Sequence, residues 1–199
     1  MPVLNPHAVL LLAAGGSRRL GQPKQLLSIN GKLLVRHIAE LALTTAPTQM
    51  IVITGCQAEA VSAALTGLPL QTVFNPLWSQ GLASSLQAAA ESLRAHPGPV
   101  LVLACDQWRL SSAHLDNLLT EAATASTVVT DYGGAEGLPA LLPMTLLQQA
   151  HLLHGEQGLK TLWHQQPHRA VEAPELAFDI DTPEDLQQAV AAGFGSASA

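Results

Sequence analysis

Arg18, Arg19 and Lys24 fall within seven positions of one another in a protein that has only nine Lys and Arg in all. They follow Gly15-Gly16-Ser17, which closes an apolar run at residues 8–14. Glycines at such a point permit positive φ and close backbone approach, so that successive N–H groups can face one anion. Arg19 offers a planar fork for phosphate oxygens, and Lys24 a point charge. The stretch reads as a phosphate loop, with a plain Gly- and Arg-rich surface loop as the alternative. Two common nucleotide patterns are excluded. A P-loop needs Lys and then Ser or Thr directly after its last Gly, but Gly21 is followed by Gln22-Pro23. The glycines at 15, 16 and 21 do not make G-x-G-x-x-G.

A second set of chemical groups is acidic. Asp106 follows the apolar run 100–104 through Cys105. A carboxylate at the end of a buried strand is costly unless it is solvated, paired or metal-bound. A helix N-cap is the plain alternative, although Ser111-Ser112 suits that role better. Asp179 and Asp181 share a side if their segment is extended. Glu184 and Asp185, after Thr182-Pro183, read instead as the first turn of a helix. His151 and His154 sit three apart without Cys or acidic partners, and no Ser-His-Asp arrangement is identifiable.

The background makes these clusters stand out. Of 199 residues, 48% are hydrophobic and 12% charged, against roughly a quarter charged in average soluble proteins. A formal net charge of -6 argues against a general nucleic-acid or anionic-membrane binder. Cys56 and Cys105 form no C-x-x-C, so neither a disulfide framework nor a common zinc site is read. The N-terminal apolar run is far short of the roughly 20 residues of a membrane span. The expected setting is cytoplasmic.

The elements that must carry these groups follow from hydrophobic pattern. Strands are expected at 8–13, 50–54, 70–74, 100–104 and 127–130, with a short one at 178–180. Another at 139–143 is read as an edge or a strand end because of Pro139. Helices are expected at 31–46, 57–65, 84–95, 111–125, 145–153 and 157–166, and one opens at Thr182. Residues 1–7 and 194–199 read as loose termini of a single domain, 1–199. The alternation predicts a three-layer α/β fold with a mostly parallel, mixed sheet. Ligands in such folds sit beyond the C-terminal strand ends. The loop after the first strand and Asp106 after the fourth then share one rim.

These residues carry a resemblance. Leu12-Ala13-Ala14-Gly15-Gly16-Ser17-Arg18-Arg19-Leu20-Gly21-Gln22-Pro23-Lys24 resembles the signature L-A-A-G-x-S-x-R-M-G-x-P-K of the MobA-like nucleotidyltransferases, which have a Rossmann-like fold. It is most similar to the MocA branch, the molybdenum cofactor cytidylyltransferases. Asn75-Pro76-Leu77-Trp78-Ser79-Gln80-Gly81-Leu82-Ala83-Ser84-Ser85-Leu86 is similar to that branch's N-P-x-W-x-x-G-x-x-S-S-L. Further blocks follow in family order: Leu103 to Gln107, Gly134 to Pro139, His154 to Gly158 and Asp179 to Leu186.

The resemblance implies transfer of a nucleotidyl group from CTP to molybdenum-bound molybdopterin, with pyrophosphate released. It implies Arg19, Lys24 and Asp106 as catalytic residues, and a Mg²⁺ ion on Asp106 and Asp181, with Asp179 as second choice. It places the nucleotide on residues 12–17, Arg19 and Lys24, with Asn75, Gly81, Ser84 and Ser85 beside the base and ribose. Ser84 and Ser85 also suit a helix start, and Trp78 suits packing. Trp108, Gly137 and Pro139 fall on the acceptor side, although a hairpin turn is the plain reading of residues 133–139. A molybdenum hydroxylase or its maturation factor is the implied protein partner. Trp108 stands where the family usually has Pro, Glu156 replaces Asp, Lys160 falls where Arg is common and Leu138 often has His in its place. Two rival readings remain: a nucleotidyltransferase for a sugar or alcohol phosphate, and a non-catalytic molybdenum-cofactor chaperone.

Overall fold

A computed structural model describes residues 6–29 and 31–194. Strand β1 (Ala8–Ala13) is buried on both faces. Val9, Leu11 and Ala13 enter one apolar cluster, while Ala8 and Leu10 enter another. That two-sided burial is why the run is continuous rather than alternating. Each fully buried Leu or Val stabilises the fold by about 1.5–3 kcal/mol. Beyond the loop comes a 3-10 turn, Lys24–Leu26, then a small antiparallel hairpin of β2 (Ser28–Ile29) and β3 (Lys32–Leu33). The hairpin takes the first residues of the helix expected from 31, and α1 spans Leu34–Leu43.

The chain continues through β4 (Gln49–Thr54), α2 (Ala58–Ala64), β5 (Gln71–Phe74), α3 (Leu82–Ser92) and β6 (Val100–Ala104). It then forms α4 (Ser112–Glu121), β7 (Val128–Asp131) and β8 (Glu136–Leu142). Ser111 caps α4 by accepting from the His114 N–H, a contact of about 1 kcal/mol. The last elements are α5 (Met144–Leu147), α6 (Lys160–Trp163), β9 (Arg169–Glu172) and α7 (Pro183–Ala189).

The seven-stranded sheet has the order β5-β4-β1-β6-β8-β7-β9. β8 runs against both of its neighbours, and the other described pairs in this sheet are parallel. Residues of α1, α2, α4 and α7 share one apolar cluster with one face, and those of α3, α5 and α6 share the second with the other. The result is the three-layer α/β architecture with a mostly parallel, mixed sheet. Strand order reverses beside β1, between β4 and β6. Among the described residues no helix is long and apolar enough to cross a membrane.

Several expectations are corrected. Pro139 lies in an interior strand, not at an edge. The pairing with β7 shifts register between Val129 and Thr130, the ladder with β6 ends at Ala140, and the Leu138–Pro139 peptide is cis. Pro therefore sits at a bulge that asks for no N–H, and its carbonyl accepts from Thr130 Oγ1 at 2.7 Å. No strand forms at 178–180. The sheet instead ends in β9, whose Arg169-Ala170-Val171-Glu172 shows no apolar run because an edge strand is largely exposed. The helices expected at 145–153 and 157–166 shrink to α5, continued as a 3-10 segment to Leu152, and to α6. At the N-terminus His7 is buried, its Nε2 is 3.0 Å from Thr45 Oγ1, and its carbonyl accepts from Thr48. Pro6 of the expected loose arm is exposed, and residues 1–5 and 195–199 lie outside the described residues.

Candidate active site

A cleft of about 610 Å³ opens over the C-terminal ends of β1 and β6. Leu12 and Ala14 line it from β1, and Ala104, Cys105 and Asp106 from β6. Gly15, Gly16, Ser17, Arg18 and Arg19 form its rim. Ser17 adopts a positive φ of 47°, and its carbonyl accepts from the N–H groups of Leu20 and Gly21 at 3.1 Å. The Lys24 N–H donates to Ser17 Oγ at 3.0 Å and closes the loop. Among the described residues, no protein group accepts from the backbone N–H groups of Gly15, Gly16, Ser17, Arg18 or Arg19. A run of unfilled donors beside two cationic side chains is an anion cradle.

The cationic and acidic side chains meet at this cradle. Lys24 Nζ donates to Asp106 Oδ2 at 2.5 Å and to Asp181 Oδ1 at 3.2 Å. Arg19 donates to Asp181 Oδ2 at 2.6 Å from a side chain that is 72% exposed. Burial alone pulls the Lys24 ammonium down, but the adjacent Asp106, with Cys105 and Asp181, carries it well above the ordinary Lys value. It is charged at any physiological pH. Burial, then the charge of Asp106, pushes the Cys105 thiol up to about 12, so it stays a neutral wall residue. Asp179 does not line the cleft, but partial burial and then Asp106 push its carboxyl up to about 7.

Gln25, the neighbour of Lys24, is fully buried in the cleft wall and donates to the carbonyls of Ala13 and Gly15.

Another part of the wall comes from Trp78, Ser79, Gly81, Leu82, Ser85 and Glu156. Asn75 does not line the cleft. It is buried, and its Nδ2 donates to Ser84 Oγ at 2.9 Å and Ser85 Oγ at 3.1 Å. Ser84 in turn donates to the carbonyls of Leu77 and Gly81, so Asn75 and Ser84 knit the loop while Ser85 and Gly81 face the cleft. Gly81 has φ 111°, and a Cβ there would fall 2.4 Å from the Gly155 carbonyl oxygen. Glu156 follows in the cleft wall, and its carboxylate accepts from the Leu82 N–H at the start of α3. Trp78 both packs and lines the cleft. A Cβ on Gly55 would meet Trp78 Cβ at 2.5 Å.

The acceptor-side residues lie elsewhere than expected. Trp108, Gly137 and Pro139 do not line the cleft; Leu138 does. Trp108 turns into the core, edge-on to Phe178 at 6.4 Å, under the Arg109 guanidinium at 4.7 Å. Gly137 backs onto the Tyr132 ring, which a Cβ would strike at 2.5 Å. Gln107 Nε2 donates to Tyr132 Oη and to the Leu138 carbonyl, which Tyr132 Oη also meets, so this network holds Leu138 in place. Ala13 is core as well.

Residues 9–170 match the MobA-like NTP transferase domain. The chain belongs to the MobA-like NTP transferase family. The match takes in the cradle, Lys24 and Asp106, and ends before Asp181. Among solved structures, a nucleotidyl transferase from Methanothermobacter thermautotrophicus is 25% identical, with TM-score 0.81 over 96% of this chain and 98% of that one. Rv0371c from Mycobacterium tuberculosis is 26% identical, with TM-score 0.79 over 94% of this chain and 99% of that one. A curated relative, nicotine blue oxidoreductase from Paenarthrobacter nicotinovorans, is 38% identical over 113 residues, 55% of this chain. The chain spans about half the length of that relative, 54%. The MobA-like fold and the cleft thus belong to a nucleotidyltransferase domain.

Proposed function

We propose that the cleft binds CTP with a divalent cation and transfers its cytidylyl group to a phosphate monoester, that of molybdenum-bound molybdopterin. The observation that carries this reading is the row of unfilled N–H groups from Gly15 to Arg19, set against Lys24 and Arg19. Triphosphate oxygens satisfy those donors. Asp106 and Asp181 already converge on one cation, the Lys24 ammonium. Their hard oxygens fit Mg²⁺ once phosphate oxygens and waters complete the shell. Among the described residues no group of three or more His, Cys, Asp or Glu is arranged to hold a metal, so the proposed site takes two of its ligands from the chain. Mg²⁺ bound there would neutralise charge at the α-phosphate.

The chain's own residues perform the rest. A phosphate-monoester oxygen of the acceptor forms a bond to the α-phosphorus. The bond from that phosphorus to the bridging oxygen breaks, and pyrophosphate leaves with the electron pair. The monoester is largely dianionic at neutral pH, its second pKa being about 6, so no general base is required. Lys24, released from its carboxylates toward the triphosphate, and Arg19 neutralise charge on the leaving group. Positioning and charge stabilisation supply the acceleration. Ala14, which lines the cleft, stands where the guanylyl branch of the family has Gly, and that resemblance favours CTP over GTP. Pyrophosphate release is to be measured with CTP, Mg²⁺ and molybdenum-bound molybdopterin, with sugar and alcohol phosphates in parallel. Release with the pterin alone supports the reading. Release with another phosphate replaces the acceptor, and cofactor binding without CTP consumption replaces enzyme by chaperone.

A further inference from the structure

We propose that Gln25 is a positioning residue, one that aims the triphosphate cradle without touching the substrate's reacting atoms. This rests on the nucleotide reading above. Gln25 is 0% exposed although it sits in the cleft wall. Its Nε2 donates to the Ala13 carbonyl at 3.1 Å and to the Gly15 carbonyl at 2.6 Å. Both N–H bonds of one amide are thus spent on two carbonyls that flank Ala14.

The consequence follows from peptide geometry. A trans peptide is planar, and its C=O and N–H point in opposite directions. Holding the Gly15 oxygen toward Gln25 therefore turns the Gly16 N–H the other way, and Gly16 is one of the unfilled donors of the cradle. Glycines on both sides of that peptide leave it free to rotate unless something fixes it. Gln25 is that fixture. It also follows Lys24 directly, and the Lys24 N–H is itself tied to Ser17 Oγ. One dipeptide thus sets the direction of a cradle N–H and the origin of the lysine side chain.

The Gln25 Oε1 atom is buried and has no hydrogen-bond partner among the described residues. A side chain chosen for packing alone would avoid that unsatisfied acceptor. The amide is thus present for its two donors.

The test uses Gln25→Met, which keeps the length and removes both donors, with Mg-CTP binding read by calorimetry and unfolding followed in the absence of ligand. The expected result is Mg-CTP affinity weakened about tenfold or more in a protein that is folded at the assay temperature. In turnover the KM for CTP rises while the acceptor KM stays unchanged. A merely structural role lowers the melting temperature and leaves the CTP affinity of the folded protein intact, which overturns the proposal. A second measurement needs no variant: amide exchange in the wild-type protein is expected to slow at Gly16 when Mg-CTP binds. Slowing elsewhere in the cleft but not at Gly16 also overturns it. If the wild-type protein binds neither Mg-CTP nor pyrophosphate, the nucleotide reading itself fails. Wild-type binding with unchanged affinity in Gln25→Met removes Gln25 alone.

Discussion

Lys24 is held by two carboxylates at once, and its charge is secured by the nearer one, Asp106, at 2.5 Å. A cation in that position keeps Asp106 and Asp181 together in the free protein, and under the proposed function it also meets the triphosphate. Replacing it with Ala removes both. Lys24→Ala is expected to lower kcat about 10²–10³-fold, the scale of losing one charge-stabilising donor. Asp106→Asn keeps shape and hydrogen bonding but loses the charge, and is expected to do comparable damage. Near-normal pyrophosphate release by either variant would remove these residues from the reaction. Both side chains stood out in the sequence, Asp106 because it follows an apolar run and Lys24 because three of only nine basic residues fall in seven positions. Gln25 was not, because its partners are backbone carbonyls, which leave no trace in sequence. Trp108 was misplaced for a related reason. Position after Asp106 puts it near the rim, but an indole gains more by packing on Phe178 than by facing a polar cleft.

At the scale of elements, the cleft depends on close backbone approaches. The segment before α3 passes Gly155 so closely that Gly81→Ala meets its carbonyl and must also adopt φ near 111°. Strain of about 1–3 kcal/mol is expected, with a lower melting temperature and a raised KM for CTP as the wall carrying Ser85 and Glu156 shifts. An unchanged melting temperature would show that the segment relaxes freely. A second junction ties β8 to α6 and β9. Glu136 accepts from His168 at 3.0 Å and pairs with His164 at 2.9 Å. Burial pulls Glu136 up, but the two histidines hold it below its ordinary value, while the Gln166 carbonyl and then Glu136 hold His168 above its own. The stability from Glu136 is present above about pH 4.5 and lost as pH falls through its depressed value. That from His168 is complete below about pH 6.5 and lost as pH rises through its raised value. Glu136→Gln is expected to cost about 0.5–1 kcal/mol near pH 5–6 and little at pH 9, read from melting curves at both. Equal cost at the two pH values would refute the pairing. Of this junction β9 was not legible, since it has an exposed edge-strand composition, and α6 is only one turn of the longer helix expected at 157–166. The buried strands and the long amphipathic helices were legible because their periodicity is set by the same core that holds them.

The whole molecule brings these parts to one point by its topology. The chain runs from β1 outward to β4 and β5, then returns to place β6 on the other side of β1. Loops leaving β1 and β6 therefore diverge, and the crevice between them is the usual ligand position of an open α/β sheet. The cleft occupies it, lined by Leu12 and Ala14 on one side and Cys105 and Asp106 on the other. Asp181 is brought in from beyond the sheet, just ahead of α7, where Thr182 and Asp185 form a reciprocal cap and the Asp181 N–H donates to Asp185. A ligand in this crevice touches segments some 160 residues apart, as the Arg19–Asp181 contact already does. It must therefore stabilise the native state as a whole, by RT ln(1 + [L]/Kd). At a concentration of about 100 Kd that is about 2.7 kcal/mol, or roughly 5–10 °C in melting temperature for a chain of this size. Mg-CTP is expected to produce that shift. GTP is expected to produce less, on the family resemblance at Ala14, just beyond the end of β1. An equal or larger shift with GTP would overturn the assignment of the base while leaving the proposed triphosphate cradle in place, because both nucleotides share the phosphates that the cradle would contact.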